Sequence, residues 1–586
     1  MFAPSIQQEA AKLAGLIAAL WGVHPLQTES VTYVIQRAES LMGFFYLLTL
    51  YAFARSLDSP RGGIWRTVSV FSCFLGMGTK EVMVSAPLMV LLYDRIFILG
   101  SFTEIWKKKG GYYAALATTW VLLGGALFFA EGRGTTAGFN AGLSIGDYFQ
   151  TQCWALIHYL KLFFWPYPLV LDYGTGTVTA LERVLPCLSA LLVLGVVLLL
   201  AMKRWKGILF LGLGLMVVLL PSSSIIPITT QTIAEHRVYL ALAPLMTILV
   251  LGLWRLLGRS LYWGGVVAIS CCVILTYQRN ATYKTVESIW RSTAEHAAYN
   301  PRAHNNYGGE LLANGKMEEA EIEFKETLRL DPKYIGAYNN LGYLYQHKGL
   351  WIQAEQMYRE ALRLDERCSD AALNWAILLE QAGKIPEAMA LYRHNLRFFP
   401  NHFKSNLNLG NLSLNRGDVA EAERLYRHCL TINPEDPTGY SNLAHIVSEQ
   451  GNAQGALELY KKAIELDPAF FDARYNLALF LQKQKDLQGA LEQIQVAVQL
   501  RPQSLEAHFL QANILFMQGK EEAAQTIYQN IVDQEPKWIF PYLNLAILFE
   551  HRGETRKAID LYQRALQIEP KNVMIQNKIQ ALNLKQ

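Results

Sequence analysis

The sequence contains little cysteine and almost no net charge. Its seven cysteines, spread over 586 residues, do not have the spacing of a metal site, and a disulfide framework is not expected. They are Cys73, Cys153, Cys187, Cys271, Cys272, Cys368 and Cys429. Several lie inside apolar runs, where a buried thiol packs as a small hydrophobic side chain. Because the histidines of the second half also share no register, we expect no metal ion, and no cofactor is firmly expected. A formal net charge of +4 is small for this length, so we expect no nucleic-acid partner.

Charge is also missing from long stretches of the first half. The mean hydropathy of +0.13 is an average over an apolar region, Met1–Thr276, and a charged region that follows it. Segments near the length that spans a bilayer lie at Ala10–Val23, Ala38–Ala54, Thr67–Gly78, Val82–Ile98, Tyr112–Ala130, Val184–Met202, Gly207–Leu220, Val238–Leu257 and Leu261–Thr276. They predict a polytopic membrane domain of about nine helices. The first segment lacks the positive flank and the cleavage site of a signal peptide.

Basic clusters between these segments predict the orientation of the membrane domain. The clusters are Arg55, Arg61 and Arg66; Arg95 with Lys107, Lys108 and Lys109; Lys203, Arg204 and Lys206; and Arg255 with Arg259. All four fall in the cytoplasm if nine segments cross and Tyr148–Trp165 lies in the plane of the outer face. The chain then leaves the membrane on the extracytoplasmic side, in a periplasm or a lumen.

A 34-residue period organises the second half. The unit boundary recurs at Pro332, Glu366, Pro400, Pro434, Pro468, Pro502, Pro536 and Pro570. A small residue recurs at Gly342, Ala376, Gly410, Ala444, Ala478, Ala512 and Ala546, where two helices would pack closely. Proline cannot continue a helix and suits the start of the next one. The period and its markers resemble the tetratricopeptide repeat, a helix–turn–helix unit that stacks into a superhelix.

The predicted fold is therefore all-α, with a membrane domain over residues 1–276 followed by an α-solenoid. We predict a linker with a first helix over 277–297, eight repeats over 298–569 and a capping helix over 570–586. Between the two helices of a unit, a glycine such as Gly451 suits a left-handed helix end, and Lys485 occupies that position in one unit. A tyrosine recurs on the second helix, as in Tyr426, and is expected to pack in the core.

Ionisable residues collect between the apolar segments on the predicted outer face. They are His24, Glu29, Arg37 and Glu39; Lys80 and Glu81; Glu131 and Arg133; Asp147; Asp172; and Glu235, His236 and Arg237. Such groups are unfavourable at a membrane boundary unless they are paired, which makes them candidates for function, although solvated loop residues are the alternative. The stretches His24–Glu39 and Glu235–Arg237 lie directly between two apolar segments and are the stronger candidates.

Three motifs in the membrane half resemble those of the transmembrane and tetratricopeptide-repeat containing (TMTC) proteins. The stretch His24–Leu41, HPLQTESVTYVIQRAESL, is similar to a His-Pro…Thr-Glu…Arg-Ala-Asp run of that family, with Glu39 in place of aspartate. Thr79–Glu81 looks like its Lys-Glu turn. Pro221–Pro227 followed by Ala234–Leu240 resembles its Glu-Arg…Tyr-Leu motif, with His236 as a departure.

The resemblance implies a membrane glycosyltransferase of the GT-C type, similar to protein O-mannosyltransferases. Such enzymes transfer a sugar from a polyprenyl-phosphate donor in the membrane lipid to a Ser or Thr hydroxyl of an extracytoplasmic protein. For this chain the resemblance favours mannose as the sugar. On this basis Arg37, Lys80 and Arg237 are predicted to bind the donor phosphate. His24, Glu81 and Glu235 are predicted to support them (Glu235 and Arg237 are neighbours of His236).

The general base is predicted at Glu29 or Glu39. Relatives of this fold carry the catalytic acid in a first outer loop, after a span that precedes the His-Pro segment. This chain begins at Met1, immediately before what should be a later span, so we expect that loop to be absent, either through truncation or in a natural form without the base. Glu29 and Glu39 are the nearest carboxylates that could replace it.

The repeats carry a series of asparagines two positions before the small residue. They are Asn306, Asn340, Asn374, Asn408, Asn442, Asn476 and Asn544, with Leu510 in the remaining unit. An amide both donates and accepts hydrogen bonds, so this series could bind a peptide backbone in the groove. It resembles the asparagine ladder of the nucleocytoplasmic O-GlcNAc transferase. Bonds from these asparagines to neighbouring repeats or water are the alternative.

Two functions from different classes remain open at this point. The first is a glycosyltransferase whose repeats recruit the acceptor protein. The second is a non-catalytic, membrane-anchored scaffold whose repeats assemble a cell-envelope complex. Many spans with charges on one face favour the first, and the expected lack of the first loop favours the second.

Overall fold

A computed structural model describes residues 4–33, 36–129, 144–220 and 231–584, and over these ranges the chain is helical and contains no strand. This confirms the all-α prediction. The chain forms two compact units, Met1–Leu344 and Tyr345–Gln586. Glu131 and Arg133 lie outside the described residues, as does Pro221–Pro227.

The apolar region folds into α1 to α11. These helices are α1 Pro4–Val23, α2 Thr28–Thr32, α3 Arg37–Asp58, α4 Gly62–Met77, α5 Ala86–Tyr93, α6 Phe102–Phe129, α7 Ile145–Phe164, α8 Leu181–Arg204, α9 Lys206–Leu219, α10 Leu242–Leu257 and α11 Leu261–Thr282. Short 3-10 turns at Pro25–Gln27 and Glu235–Val238 precede α2 and α10.

Three described segments are long and apolar enough to cross a membrane. They are Arg37–Asp58, Leu181–Arg204 and Leu242–Thr282, the last of which contains both α10 and α11. The chain is thus a membrane protein, whereas the number of nine spans remains a prediction. The segment Val82–Ile98, expected as one span, is divided into a 3-10 turn, α5 and a π-helical turn at Asp94–Ile98.

Close packing of α1 against α11 positions the residues that follow α1. A Cβ atom on Gly265 would lie 2.6 Å from Leu16 Cδ1, so a larger residue at this position would require the Leu16 side chain to shift. Thr276 Oγ1 then donates to Val23 O (2.8 Å), and Thr32 Oγ1 donates to Asn280 Oδ1 (2.7 Å). These contacts hold the segment from His24 to Thr32 beside the end of α11.

The charged region folds into α12 to α29. The helices are α12 Val286–His296, α13 Pro301–Ala313, α14 Met317–Leu330, α15 Ile335–His347, α16 Trp351–Leu364, α17 Ser369–Gln381, α18 Ile385–Phe398, α19 Phe403–Asn415, α20 Val419–Ile432, α21 Pro437–Glu449, α22 Ala453–Leu466, α23 Phe471–Lys483, α24 Leu487–Leu500, α25 Leu505–Met517, α26 Glu521–Gln534, α27 Ile539–His551, α28 Thr555–Ile568 and α29 Val573–Asn583. From α13 onward they alternate as two helices per 34 residues, and α29 follows the last pair.

The turn within each pair has the left-handed conformation that its glycine indicates. Gly451, for example, has φ of 86°, and Lys485 adopts φ of 64° at the equivalent position without the freedom of glycine. The recurring tyrosine of the second helix is buried, with Tyr426 only 1% exposed. The repeat register therefore fixes the backbone even where the marker residue has changed.

Candidate functional site

A buried carboxylate–imidazole pair joins two distant parts of the chain. Glu29 Oε1 lies 2.8 Å from His236 Nδ1, and the His236 backbone N–H donates to Glu29 Oε2 at 3.2 Å. Glu29 is 2% exposed and His236 is 7% exposed. Glu29 lies in α2 and His236 in the turn before α10, so the pair connects the two stretches that the sequence singles out.

Glu235, the neighbour of His236, is held by the loop that follows α7. Its Oε1 accepts hydrogen bonds from Val170 N (2.6 Å) and from the Tyr173 hydroxyl (2.8 Å). His158 Nε2 in turn lies 3.0 Å from that hydroxyl. Burial raises the pKa of Glu235 to about 7, an effect that Arg279 opposes and Glu29 reinforces. Near neutral pH this carboxyl therefore exists in both protonation states.

Arg279 is a buried cation with unused hydrogen-bonding capacity. It is 8% exposed, and its Nε is buried without a hydrogen-bond partner among the described residues. Its Nη2 donates a long hydrogen bond of 3.5 Å to the Tyr283 hydroxyl, and the guanidinium lies over the Tyr283 ring. Burial raises the pKa of Tyr283; Arg279 opposes this, and Glu29 and Glu235 add to it, so these charges share one neighbourhood. A guanidinium in this state is suited to an anionic ligand.

Arg237 is also buried, but several of its donors bond to the protein itself. Its Nη1 donates to Thr232 O (3.0 Å), its Nη2 donates to Gln231 O, and the Tyr148 hydroxyl lies 3.5 Å from Nη1. In this arrangement the guanidinium fixes the segment that leads into the turn at Glu235. Its predicted contact with a donor phosphate would use the remaining N–H groups.

A second polar cluster contains Glu39 and Lys80. The Lys80 ammonium lies 2.5 Å from Glu39 Oε1 and donates to Gln36 Oε1 at 3.3 Å, and Glu39 is buried. The two charges compensate each other. Glu39 is therefore less suited to act as a base, and Lys80 is less suited to bind an anion. Arg37 is exposed and donates from Nε to Val31 O (3.3 Å). The side chain of Glu81 lies outside the described part of the structure.

His24 has a structural role in this geometry. Its Nε2 lies 3.0 Å from Phe163 O, and its Nδ1 accepts from Leu26 N at 3.3 Å. Since one ring nitrogen donates and the other accepts, the imidazole is neutral, and burial lowers its pKa. The ring thus caps the turn that delivers Glu29.

The loop that binds Glu235 also binds the first repeat. Asp172 lies in this loop, between Val170 and Gly174. Its carboxylate forms an ion pair with Arg302 through two contacts of 2.6 Å, from Nε to Oδ2 and from Nη2 to Oδ1. Asn300 Nδ2 donates to Asp172 O (2.8 Å). Since Asp172 is 3% exposed, this is a buried fork between the membrane half and the start of α13.

The predicted peptide-binding asparagines are half-buried and are used between repeats. The amide nitrogens donate as follows: Asn340 to Asn305 Oδ1 (3.0 Å), Asn408 to the Tyr392 hydroxyl (3.1 Å), Asn442 to Asn411 Oδ1 (3.0 Å), Asn476 to Ser441 Oγ (3.4 Å) and Asn544 to Asn513 Oδ1 (2.7 Å). Asn306 accepts from Asn305, and Asn374 is also partnered. Asn544 Nδ2 donates in addition to the Tyr528 hydroxyl (3.3 Å), and a role of the series in binding peptide remains a prediction.

Sequence reasoning assigned no role to His236 or Arg279. His236 was one of the ionisable residues between apolar segments, but its partner Glu29 is 207 residues away, and no sequence pattern shows that pairing. Arg279 follows the last apolar segment and reads as a loop residue, whereas α11 continues through it to Thr282. A cation three residues after an apolar run was the only available signal.

Comparisons with known proteins agree with this architecture. Tetratricopeptide-repeat families match residues 301–334, 323–356, 407–433, 448–485, 506–537 and 542–572, which confirms the repeats. A solved tetratricopeptide repeat protein from Parabacteroides merdae is 17% identical, covers 42% of this chain and 98% of its own, and has a TM-score of 0.36.

Curated relatives confirm the resemblance to the TMTC proteins. Protein O-mannosyl-transferase Tmtc3 of Drosophila melanogaster is 27% identical over 388 residues, which are 56% of this chain and 41% of the relative. Protein O-mannosyl-transferase TMTC1 of Homo sapiens is 26% identical over 380 residues, or 56% and 43% of the two chains. The chain spans less than half the length of these relatives.

Proposed function

We propose that this chain is an integral membrane glycosyltransferase that transfers mannose from a polyprenyl-phosphate donor to Ser or Thr hydroxyls of extracytoplasmic proteins. The observation that carries the proposal is the buried cluster of Glu29, Glu235, His236 and Arg279 where the apolar helices α1 and α11 end. The names of the relatives supply the reaction class and the sugar.

The cluster contains the groups that this chemistry requires. A lipid-linked donor keeps its chain in the bilayer, so its phosphate arrives where the membrane helices end. The departing phosphate gains negative charge and needs a cation in a site that excludes water. Arg279 Nε has no hydrogen-bond partner within the described ranges, and Arg279 joins Arg37, Lys80 and Arg237 as a proposed phosphate ligand. The acceptor hydroxyl needs a group that takes its proton.

The repeats are proposed to recruit the acceptor protein. Their first helix pair is tied through Arg302 to the loop that holds Glu235, which supports delivery of a bound segment to the cluster. The asparagine amides, which both donate and accept hydrogen bonds, offer contacts to a peptide backbone without regard to its sequence. Transfer in a periplasm or lumen completes the proposal.

The test is transfer by full-length protein in liposomes that contain polyprenyl-phosphate [3H]mannose or the corresponding glucose donor. Alkali-labile radioactivity on an acceptor protein supports the proposal, and the preferred donor identifies the sugar. Arg279→Gln is expected to weaken donor binding strongly, whereas the exposed Glu182→Gln should leave transfer unchanged. If neither donor gives transfer while the repeats still capture proteins, the scaffold alternative replaces the enzyme.

A second arm tests the role of the repeats. The double variant Asn408→Ala with Asn442→Ala should lose transfer to a folded-protein acceptor but keep transfer to a short Ser/Thr peptide at high concentration. Equal use of the protein acceptor by both forms would refute recruitment through the asparagines.

A further inference from the structure

The bonds of His236 assign its tautomer. Glu29 accepts the His236 backbone N–H with Oε2, which favours the ionised carboxylate, and an ionised carboxylate can only accept. His236 Nδ1, 2.8 Å from Oε1, must therefore carry the proton. In the neutral form of the ring the lone pair then lies on Nε2, and Nε2 has no hydrogen-bond partner among the described residues.

His24 provides the contrast within the same site. Both of its ring nitrogens bond to backbone groups of the protein, at 3.0 Å and 3.3 Å, so neither is available to a substrate. The two imidazoles are similarly buried, at 3% and 7% exposure. His24 and His236 therefore differ in the hydrogen bonds of their ring nitrogens and not in how deeply they are buried.

His236 belongs to a cluster that contains a cation and two acids. Glu29 contacts the ring from α2, Glu235 and Arg237 are its neighbours in the same turn, and Arg279, at the end of α11, interacts electrostatically with Glu235. Arg237 is committed to backbone carbonyls, and Glu235 to Val170 and Tyr173. Among the residues that the structure describes, neither His236 Nε2 nor Arg279 Nε has a hydrogen-bond partner, which leaves one acceptor and one donor of the cluster for a substrate.

We propose that His236 is the general base of the transfer and that Glu29 positions it, an inference that rests on the proposed function. The acceptor hydroxyl oxygen attacks the anomeric carbon of the sugar, and the bond from that carbon to the phosphate oxygen breaks. The hydroxyl proton passes to His236 Nε2, and the polyprenyl phosphate leaves with the bonding electron pair beside Arg279. Glu29 stabilises the imidazolium that forms. Glu29, predicted as the base itself, acts here through the histidine.

The kinetic test compares His236→Gln and Glu29→Gln with the full-length protein in donor-loaded liposomes. Loss of a general base is expected to lower kcat about 10²–10⁴-fold with little change in KM. In Glu29→Gln the acid limb of the pH–rate profile should move to lower pH, because the ring loses the negative neighbour that favours its protonated form. In Glu235→Gln that limb should remain. His445→Gln, an exposed histidine in the repeats, is the matched control and should change neither constant.

A chemical test does not depend on turnover. Diethyl pyrocarbonate acylates neutral imidazole nitrogens, so mass spectrometry of the wild-type protein should find His236 modified and His24 unmodified. Polyprenyl phosphate, used as the probe, should slow modification of His236 at least several-fold.

The outcomes separate the two proposals. Absence of transfer by the wild type refutes the proposed function and, with it, the role of His236 in that reaction. Transfer that survives in His236→Gln, or a His236 that resists acylation as His24 does, refutes the base assignment and leaves the function standing. A Glu29→Gln variant that loses activity without a moved acid limb refutes the positioning role.

Discussion

Glu235→Gln should remove a pH dependence from the stability of the loop after α7. Glu235 is 1% exposed, and its Oε1 accepts from Val170 N and the Tyr173 hydroxyl. Glutamine keeps the length of the side chain and an acceptor oxygen for both donors, but it cannot ionise. The substitution therefore isolates the charge of this residue from its packing.

The magnitude follows from the pKa of the buried carboxyl. Burial raises the pKa of Glu235 from 4.5 to about 7, so between these values the folded protein binds a proton that the opened form releases. Stability is therefore full below pH 4.5 and falls as the pH rises to about 7. Such a rise in pKa corresponds to about 3 kcal/mol, which the ionised form loses above pH 7. Glu235→Gln should match the wild type at pH 4.5 and exceed it by up to this amount at pH 8.

Hydrogen exchange can measure this difference in full-length protein in lipid nanodiscs. Peptides that cover residues 165–175 report the free energy of local opening after correction for the intrinsic exchange rate. We expect this free energy to fall with pH in the wild type and to stay level in Glu235→Gln. Glu182→Gln, an exposed acid of α8, should follow the wild type. An identical slope in Glu235→Gln, or lower protection at every pH, would refute the reasoning.

Three further predictions concern the repeats and their attachment. Lys485→Gly should stabilise α23 and α24 by about 1 kcal/mol in hydrogen exchange, because φ of 64° is unfavourable for lysine; unchanged protection would contradict this. Asn411→Ala should destabilise its repeat by about 1–3 kcal/mol, because Asn411 Oδ1 accepts from the Tyr426 hydroxyl at 2.7 Å and from Asn442 of the next repeat. Urea-dependent hydrogen exchange measures this loss of stability, and a change within the experimental error would contradict the prediction. Asp172→Asn should weaken the contact with Arg302 by about 2 kcal/mol and raise exchange in both residues 165–175 and α13, whereas a change in one alone would show that they are independent.

The repeats were predictable because the same contacts between helices recur in each unit. A small residue at one position, a buried tyrosine at another and a left-handed turn between them recur every 34 residues, so a single exception does not hide the register. Lys485 illustrates this point, since it adopts the backbone of the glycine that it replaces. Local geometry here follows from local sequence and from contacts with the next unit.

The site was predictable only as two separate stretches. The charges between apolar segments indicated His24–Glu39 and Glu235–Arg237 as candidate site residues. They did not indicate that Glu29 forms a hydrogen bond with His236. Nor can sequence show that the guanidinium of Arg237 is taken up by backbone carbonyls while that of Arg279 is not. These distinctions depend on which backbone groups the fold leaves unpaired, and that is decided by tertiary structure.

The loop after α7 contacts both the first repeat and the buried acids. Within five residues, Val170 and Tyr173 bond to Glu235 while Asp172 bonds to Arg302 at the start of the first repeat. The first repeat and the acid cluster therefore both contact one short segment, Val170 to Tyr173. Whichever side of the membrane holds Glu235 also holds the beginning of α13. Locating the Asp172 loop on one side of the membrane would therefore locate both the cluster and the first repeat.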